Sequence, residues 1–261
     1  MDTLLTILRD PIWQFVGVVI AVIALLVTVF GKSWLRYAGV SVIIVLICAI
    51  VFAVFAQTQW DKSDPHKLYI QVTSSNTSLY DPLNGQNANN WDVSRNAGMS
   101  CDFKNGAYHA SATQPGVVAE CLAEGILTSS NFGYQVQMTV LSGDGGGLIF
   151  GALGTNASKY RFFIGTGTYY DLFVSVNNKK LIDGTSGAIH AGFNQPNVLT
   201  VIVLDSTIYL YINGQFVGTS NTLGNSLISG QIGVFADKFE APQGNSTPAD
   251  VIYSNVKVWK L

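Results

Sequence analysis

The hydrophobic pattern of the chain changes once, near residue 60. Before that point the apolar positions run almost unbroken, and neither Ile12 to Phe30 nor Tyr37 to Ala56 contains a charged residue. A helix rises 1.5 Å per residue, so about 20 apolar residues cross the ~30 Å hydrocarbon layer. The pattern predicts transmembrane helices over about 12–30 and 37–56. The connector Gly31 to Arg36 is so short that the two must form an antiparallel hairpin. Trp13, Trp34, Tyr37 and Trp60 stand where an interfacial aromatic belt belongs. Lys32 and Arg36 in the connector have no acid beside them, whereas Arg9 is offset by Asp2 and Asp10. The positive-inside rule then puts the connector in the cytoplasm and everything after Trp60 outside. The expectation is a multi-pass cell-membrane protein, with the lipid bilayer as one partner and residues 1–60 as anchor. Gly17 and Ala21, four apart, suit a small-xxx-small helix contact, either within the hairpin or to another membrane protein.

Beyond Trp60 the period shortens to two. Residues 61–78 read as a stalk holding one short strand-like run, Leu68 to Val72. From Leu79 to Leu261 the chain is a series of alternating runs split by turn residues, with no helical period expected anywhere after Trp60. Tyr134, Val136, Met138 and Val140 alternate cleanly and predict one buried strand face. Ile208, Leu210 and Ile212 predict another, with Tyr209 and Tyr211 pointing the opposite way. Asn213-Gly214 and Asn105-Gly106 are hairpin signals, because a type I′ turn needs two residues that tolerate positive φ. The hairpin around Asn213 is expected at the centre of the domain, and Trp91 in its core. About a dozen strands at regular spacing predict an all-β sandwich.

Composition sharpens this picture. Only 11% of the 261 residues are charged, less than half of the roughly 25% usual for soluble domains, which agrees with part of the chain lying in lipid. The net charge of −2 is too small to imply a nucleic-acid partner, with no Lys/Arg cluster to make a local exception, so none is expected. Cys48 falls in the second apolar run. Cys101 and Cys121 are the two cysteines of the outer part, and an even count in an extracytoplasmic domain predicts a disulfide between them. Two buried free thiols are the alternative. No CxxC or Cys/His grouping points to zinc.

The succession GDGGGLIFGA, KYRFFIGTGTYYDLFV, NVLTVIVLDSTIYLYINGQFVGT, GQIGVFAD and VIYSNVKVWKL resembles the concanavalin A-like lectin/glucanase superfamily. Its laminin-G-like and 3-keto-disaccharide-hydrolase-like branches are the nearest match. The resemblance implies a jelly-roll sandwich over roughly residues 80–261, of the kind carried on bacterial-type membrane anchors. It implies a binding or adhesion module for a glycan or a surface protein. The protein-kinase signatures that accompany such domains in receptor kinases are missing here.

Candidate chemistry is sparse. The glucanase members use closely spaced carboxylates, and no such cluster occurs. Glu120 and Glu124 would lie about 13 Å apart along a strand, too far for a retaining or inverting pair. Solvated edge charges are the expected reading. His66, His109 and His190 are expected as ordinary surface histidines, and there is no G-x-S-x-G elbow. No catalytic residue is assigned. The glycines of Ser142–Gly147 are expected to allow close backbone packing, because no helix or Lys follows to make a phosphate cradle. Laminin-G-like domains often bind calcium at loops, which makes Asp144 and Asp237 candidate calcium ligands. Tyr209 and Tyr211, with Arg161, Asp171 and Gln137, supply the rings and planar polar groups of a sugar-binding surface. The competing expectation is that the rings simply cover a sheet. Two other functions remain open: a glycoside-active enzyme built from dispersed residues, and a structural partner acting through the transmembrane hairpin.

Overall fold

A computed structural model describes residues 49, 64–85, 87–96, 98–152, 159–175, 179–222, 228–239 and 247–261. The chain divides into two compact units, Met1–Leu68 and Tyr69–Leu261. Apart from Ala49, the apolar spans 12–30 and 37–56, with Cys48, lie outside the described residues. Among the described residues no helix is long and apolar enough to cross a membrane.

The strand-like reading of Leu68–Val72 is overturned. Pro65–Thr73 is an α-helix, α1, and its start is written in the sequence. Asp64 caps it, its Oδ1 accepting from the backbone N–H groups of His66 (2.9 Å) and Lys67 (3.4 Å). Pro65 occupies the first helical position, where a missing N–H costs nothing. The apolar residues that looked like alternation also satisfy the i, i+4 spacing of a helix face.

Two antiparallel sheets follow. The first has the order β13-β12-β11-β6-β15-β4-β3-β2, with β1 also pairing β15. Its strands are β1 (Leu79–Asp81), β2 (Ser94–Asn96), β3 (Met99–Lys104), β4 (Ala107–Ala112), β6 (Phe132–Ser142), β11 (Pro196–Leu204), β12 (Thr207–Ile212), β13 (Gln215–Asn221) and β15 (Ala249–Lys260). The second has the order β10-β9-β8-β7-β14-β5. It comprises β5 (Val117–Thr128), β7 (Gly145–Ala152), β8 (Tyr160–Gly165), β9 (Tyr169–Val174), β10 (Lys179–Thr185) and β14 (Gly230–Lys238). Both expected Asn-Gly turns form, with φ of 50° and 78° at Asn213-Gly214 and 52° and 77° at Asn105-Gly106. The hairpin at Asn213 is not central, however. It ends in β13, the edge strand of the first sheet.

One core lies between the sheets. Trp91, Tyr108, Tyr134, Phe132, Phe150, Phe162 and Tyr253 are among its largest buried members. The predicted inward sets of β6 and β12 are all there. Trp91 donates its Nε1–H to Asp81 Oδ2 (3.0 Å), which also accepts from Asn89 Nδ2 (2.6 Å), while Oδ1 accepts from the Leu83 N–H (2.9 Å). The buried Asp81 carboxylate is thereby satisfied, and the opening loop is tied to the core. Cys101 on β3 and Cys121 on β5 form the expected disulfide, with Cα atoms 5.7 Å apart, and so staple one sheet to the other.

α1 takes part of the first sheet's outer face. Trp259, Gly133, Ile202 and Tyr209 are cross-strand neighbours on that face. Val72 comes so close to Gly133 that an added Cβ would sit 2.8 Å from Val72 Cγ1 and 3.0 Å from Trp259 Cε3. Ser75 O accepts from Trp259 Nε1 (3.3 Å), and the Tyr69 and Tyr211 rings lie 5.0 Å apart.

Two substitutions check this packing. Replacing both Cys101 and Cys121 with Ala removes a cross-link over 20 residues and is expected to lower stability by about 3 kcal/mol in urea unfolding. Gly133→Ala is expected to loosen α1, read as faster amide exchange in Tyr69–Thr73 with little change in β14.

Candidate functional site

The outer face of the second sheet gathers the charged chemistry. On β8, Tyr160, Phe162 and Ile164 enter the core, which turns Arg161 and Phe163 outward. Phe173 on β9 is the direct cross-strand neighbour of Arg161, and Asp171 that of Phe163. Across β7, β14 contributes Phe235 and Asp237, and β5 beyond it contributes Glu120, directly opposite Phe235. The Arg161 guanidinium is held over two rings, 4.8 Å from the Phe173 centroid and 5.8 Å from that of Phe235. Such stacking covers the planes of the cation and leaves its edge for hydrogen bonds. Its Nε is buried with no hydrogen-bond partner among the described residues.

Carboxylates surround this cation. Tyr169 donates its hydroxyl to Asp171 Oδ2 (2.9 Å) and accepts from Lys180 Nζ (2.9 Å). Burial raises the Asp171 carboxyl above its ordinary value, against the lowering effects of Tyr169, Lys180 and Arg161. Asp237 is pushed up to about 6, first by burial and then by the charges of Asp171, Asp144 and Glu120, with Arg161 opposing. Asp144 Oδ2 accepts from the Phe239 N–H (3.0 Å) and pins the β6–β7 turn to the end of β14. Glu120 is ion-paired with Lys159, whose side chain is 11% exposed.

The glycine run opening β7 makes this face possible by the close approach expected of it. A Cβ on Gly145 would meet the Phe163 ring at 2.7 Å, and one on Gly146 would meet Phe235 O at 2.3 Å and Tyr253 Oη at 2.7 Å. The Tyr253 hydroxyl donates to Phe235 O (2.5 Å) and accepts from the Gly147 N–H (3.0 Å).

The predicted binding set is divided rather than gathered. Arg161 and Asp171 belong to the second sheet, with Asp144 and Asp237 near them. Tyr209, Tyr211 and Gln137 lie on the outer face of the first sheet, on the other side of the core. Tyr211 is fully buried between Tyr69 and Phe216, at centroid distances of 5.0 and 5.7 Å, so it is no sugar platform. Tyr209 is half-buried. Among the described residues no group of three His, Cys, Asp or Glu is placed to hold a metal ion.

Two further expectations change. Glu120 is not a solvated edge charge, because its partner Lys159 is buried, while Glu124 is exposed as expected. His109 is not a surface histidine. It is 4% exposed and its Nδ1 lies 3.0 Å from Asp250 Oδ1, the same oxygen that accepts from Ser111 Oγ (2.9 Å). Serine and histidine both address the carboxylate, so the serine has no base and the trio is not a nucleophilic site. Burial opposes ionisation of Asp250, but the His109 and Ser111 hydrogen bonds, with the charges of His109 and Lys104, hold its carboxyl below the ordinary value.

No protein-family model matches the chain, and a search of curated proteins found no relative. Solved structures do share its fold. A protein of unknown function with a galectin-like fold from Bacillus subtilis superposes with a TM-score of 0.56 at 13% identity, over 71% of this chain and 96% of that one. A Bacillus licheniformis β-glucanase superposes with a TM-score of 0.52 at 15% identity, over 72% of this chain and all of that one. The fold is a jelly roll of the concanavalin A-like class. At these identities the likeness carries the fold alone.

Asp237 gives a test of the electrostatics. Its folded pKa lies above the unfolded value of 3.8, so its contribution is fully present below pH ~4 and is lost as pH rises through ~6. Asp237→Asn removes that loss and is expected to raise stability near pH 7 by up to about 3 kcal/mol. Thermal melts of the variant should show a weaker decline than the parent between pH 4 and 7.

Proposed function

We propose that the sandwich is a carbohydrate-binding module displayed outside the cell, held at the membrane by the two apolar N-terminal runs. The outer face of the second sheet is its glycan site. The observation that carries this reading is the Arg161 guanidinium, stacked on Phe173 and Phe235, whose buried Nε has no hydrogen-bond partner among the described residues. A sugar needs an apolar surface for its C–H face and planar donors and acceptors for its hydroxyls. The half-buried Phe173 and Tyr169 rings, a fixed cation and the Asp171 and Asp237 carboxylates supply all three on one face, with the buried Phe235 backing the cation. The inter-sheet disulfide supports an oxidising compartment, and the charge-free spans 12–30 and 37–56 support the anchor.

A second reading, glycoside cleavage, is favoured by one pair. Glu120 and Asp237 are diagonal neighbours on adjacent strands, a backbone spacing of about 7–8 Å from which an inverting pair of carboxyl groups could be built. Glu120, ion-paired with Lys159, would serve as the base, and the raised pKa of Asp237 suits an acid.

A glycan-array screen of the full chain, with and without calcium, separates these readings. The binding reading expects at least one ligand, with Arg161→Ala and Phe173→Ala weakening it about tenfold or more and no product formed. A blank array, or binding indifferent to both substitutions, rejects that face. The cleavage reading expects turnover that Asp237→Asn lowers by about a hundredfold or more.

A further inference from the structure

The outer face of the first sheet holds a second polar depression, beside the area that α1 covers. It is a trough of about 340 Å³ lined by Tyr80, Gln135, Gln137, Val198, Asn255 and Lys257. Its floor follows from strand register. Tyr80 on β1, Lys257 on β15 and Gln135 on β6 form one cross-strand row, and Gln137 faces Val198 of β11 in the next.

Asn255 shapes the trough. The β15–β6 register slips between Ser254 and Lys257, and Asn255 sits in that bulge with φ of 57°. Positive φ within a strand is unusual for any residue with a side chain and is better tolerated by Asn. Bulges re-aim side chains, and this one places the Asn255 amide between two neighbours. Its Oδ1 accepts from the Tyr80 hydroxyl (3.0 Å) and its Nδ2 donates to Gln137 Oε1 (3.4 Å). The Gln135 amide donates to Thr200 Oγ1 (2.8 Å).

The trough therefore presents fixed amides beside an aromatic ring that is 54% exposed. Lys257 is half-buried and is the single charged residue of the lining. No salt bridge among the described residues engages its Nζ. A neutral glycan could stack on Tyr80 and bond to the amides, but it would cover an ammonium without supplying an anion, which costs desolvation. A sugar carboxylate supplies that anion as a charge-assisted hydrogen bond. We propose that this trough is a second glycan site, selective for an oligosaccharide that carries a carboxylate. Tyr80 is its stacking platform, Gln137 and Asn255 its hydroxyl partners, and Lys257 its anion contact. The acid-rich face around Arg161 lies across the core, so the two faces would sort sugars by charge.

Equilibrium titration of the full chain with oligogalacturonate, and with maltohexaose as the neutral control, tests this. Oligogalacturonate is expected to bind more tightly than maltohexaose and to weaken with added salt. Lys257→Gln and Tyr80→Ala should each lower its affinity about tenfold or more without shifting the melting temperature, while Tyr80→Phe keeps the ring and most of the binding. Absence of oligogalacturonate binding overturns the proposal. So does equal binding of the two sugars with Lys257→Gln silent. Loss of oligogalacturonate binding on Arg161→Ala, with Lys257→Gln silent, moves the anion to the other face and also overturns it. The array screen above can fail or succeed independently of these outcomes.

Discussion

Each strand in a two-layer sandwich has one face committed to the shared core, and this sets everything else in the molecule. Once Tyr134, Val136 and Met138 from one sheet meet Phe162, Leu172 and Val234 from the other, the period of two leaves the intervening residues no choice. They must lie on one of two outer faces pointing in opposite directions. The Cys101–Cys121 disulfide reinforces the same constraint by fixing β3 of one layer against β5 of the other. Function then depends on what each outer face is given to do.

The two faces have been treated differently. On the first sheet, α1 shields Trp259 and Tyr211 and needs a glycine at residue 133 to come close enough. Beside it lie a polar trough and the His109–Ser111–Asp250 group. On the second sheet, the glycines of β7 let the neighbouring backbones and rings close up around Arg161. There, burial is used electrostatically: it keeps a cation on aromatic rings and makes Asp237 reluctant to ionise. Burial, together with the charges of Asp171, Asp144 and Glu120, makes an ionised Asp237 work against folding at neutral pH.

Much of the fold was legible in the residues. The alternation of β6 and β12 named the inward faces correctly, both Asn-Gly pairs made the expected turns, and the pairing of Cys101 with Cys121 followed from their count and expected compartment. The helix at Pro65 was missed because Leu68, Ile70 and Val72 satisfy strand alternation while Leu68 and Val72 also satisfy i, i+4. The Asp64-Pro65 cap was the signal that could have decided between them. Of the candidate site, Arg161 and Asp171 were named together, but in a set with Tyr209, Tyr211 and Gln137, and Asp144 and Asp237 were named apart from them as calcium candidates. Glu120 and Lys159 carry no local signal, being 39 residues apart.

The sequence by itself determined which residues of each strand share a side, where the chain turns, and that the hydrophobic pattern changes near residue 60. Those properties depend on neighbours within a few positions, through the strand period and the φ preferences of Asn and Gly. Only the tertiary structure decided which sheet each strand joins, and therefore which of the two opposite faces "outward" means. That choice separated Tyr209, Tyr211 and Gln137 from Arg161 and Asp171, and put Tyr211 beneath a helix. Strand order is set by long-range packing and hydrogen bonding between segments far apart in the chain, and no local pattern records it.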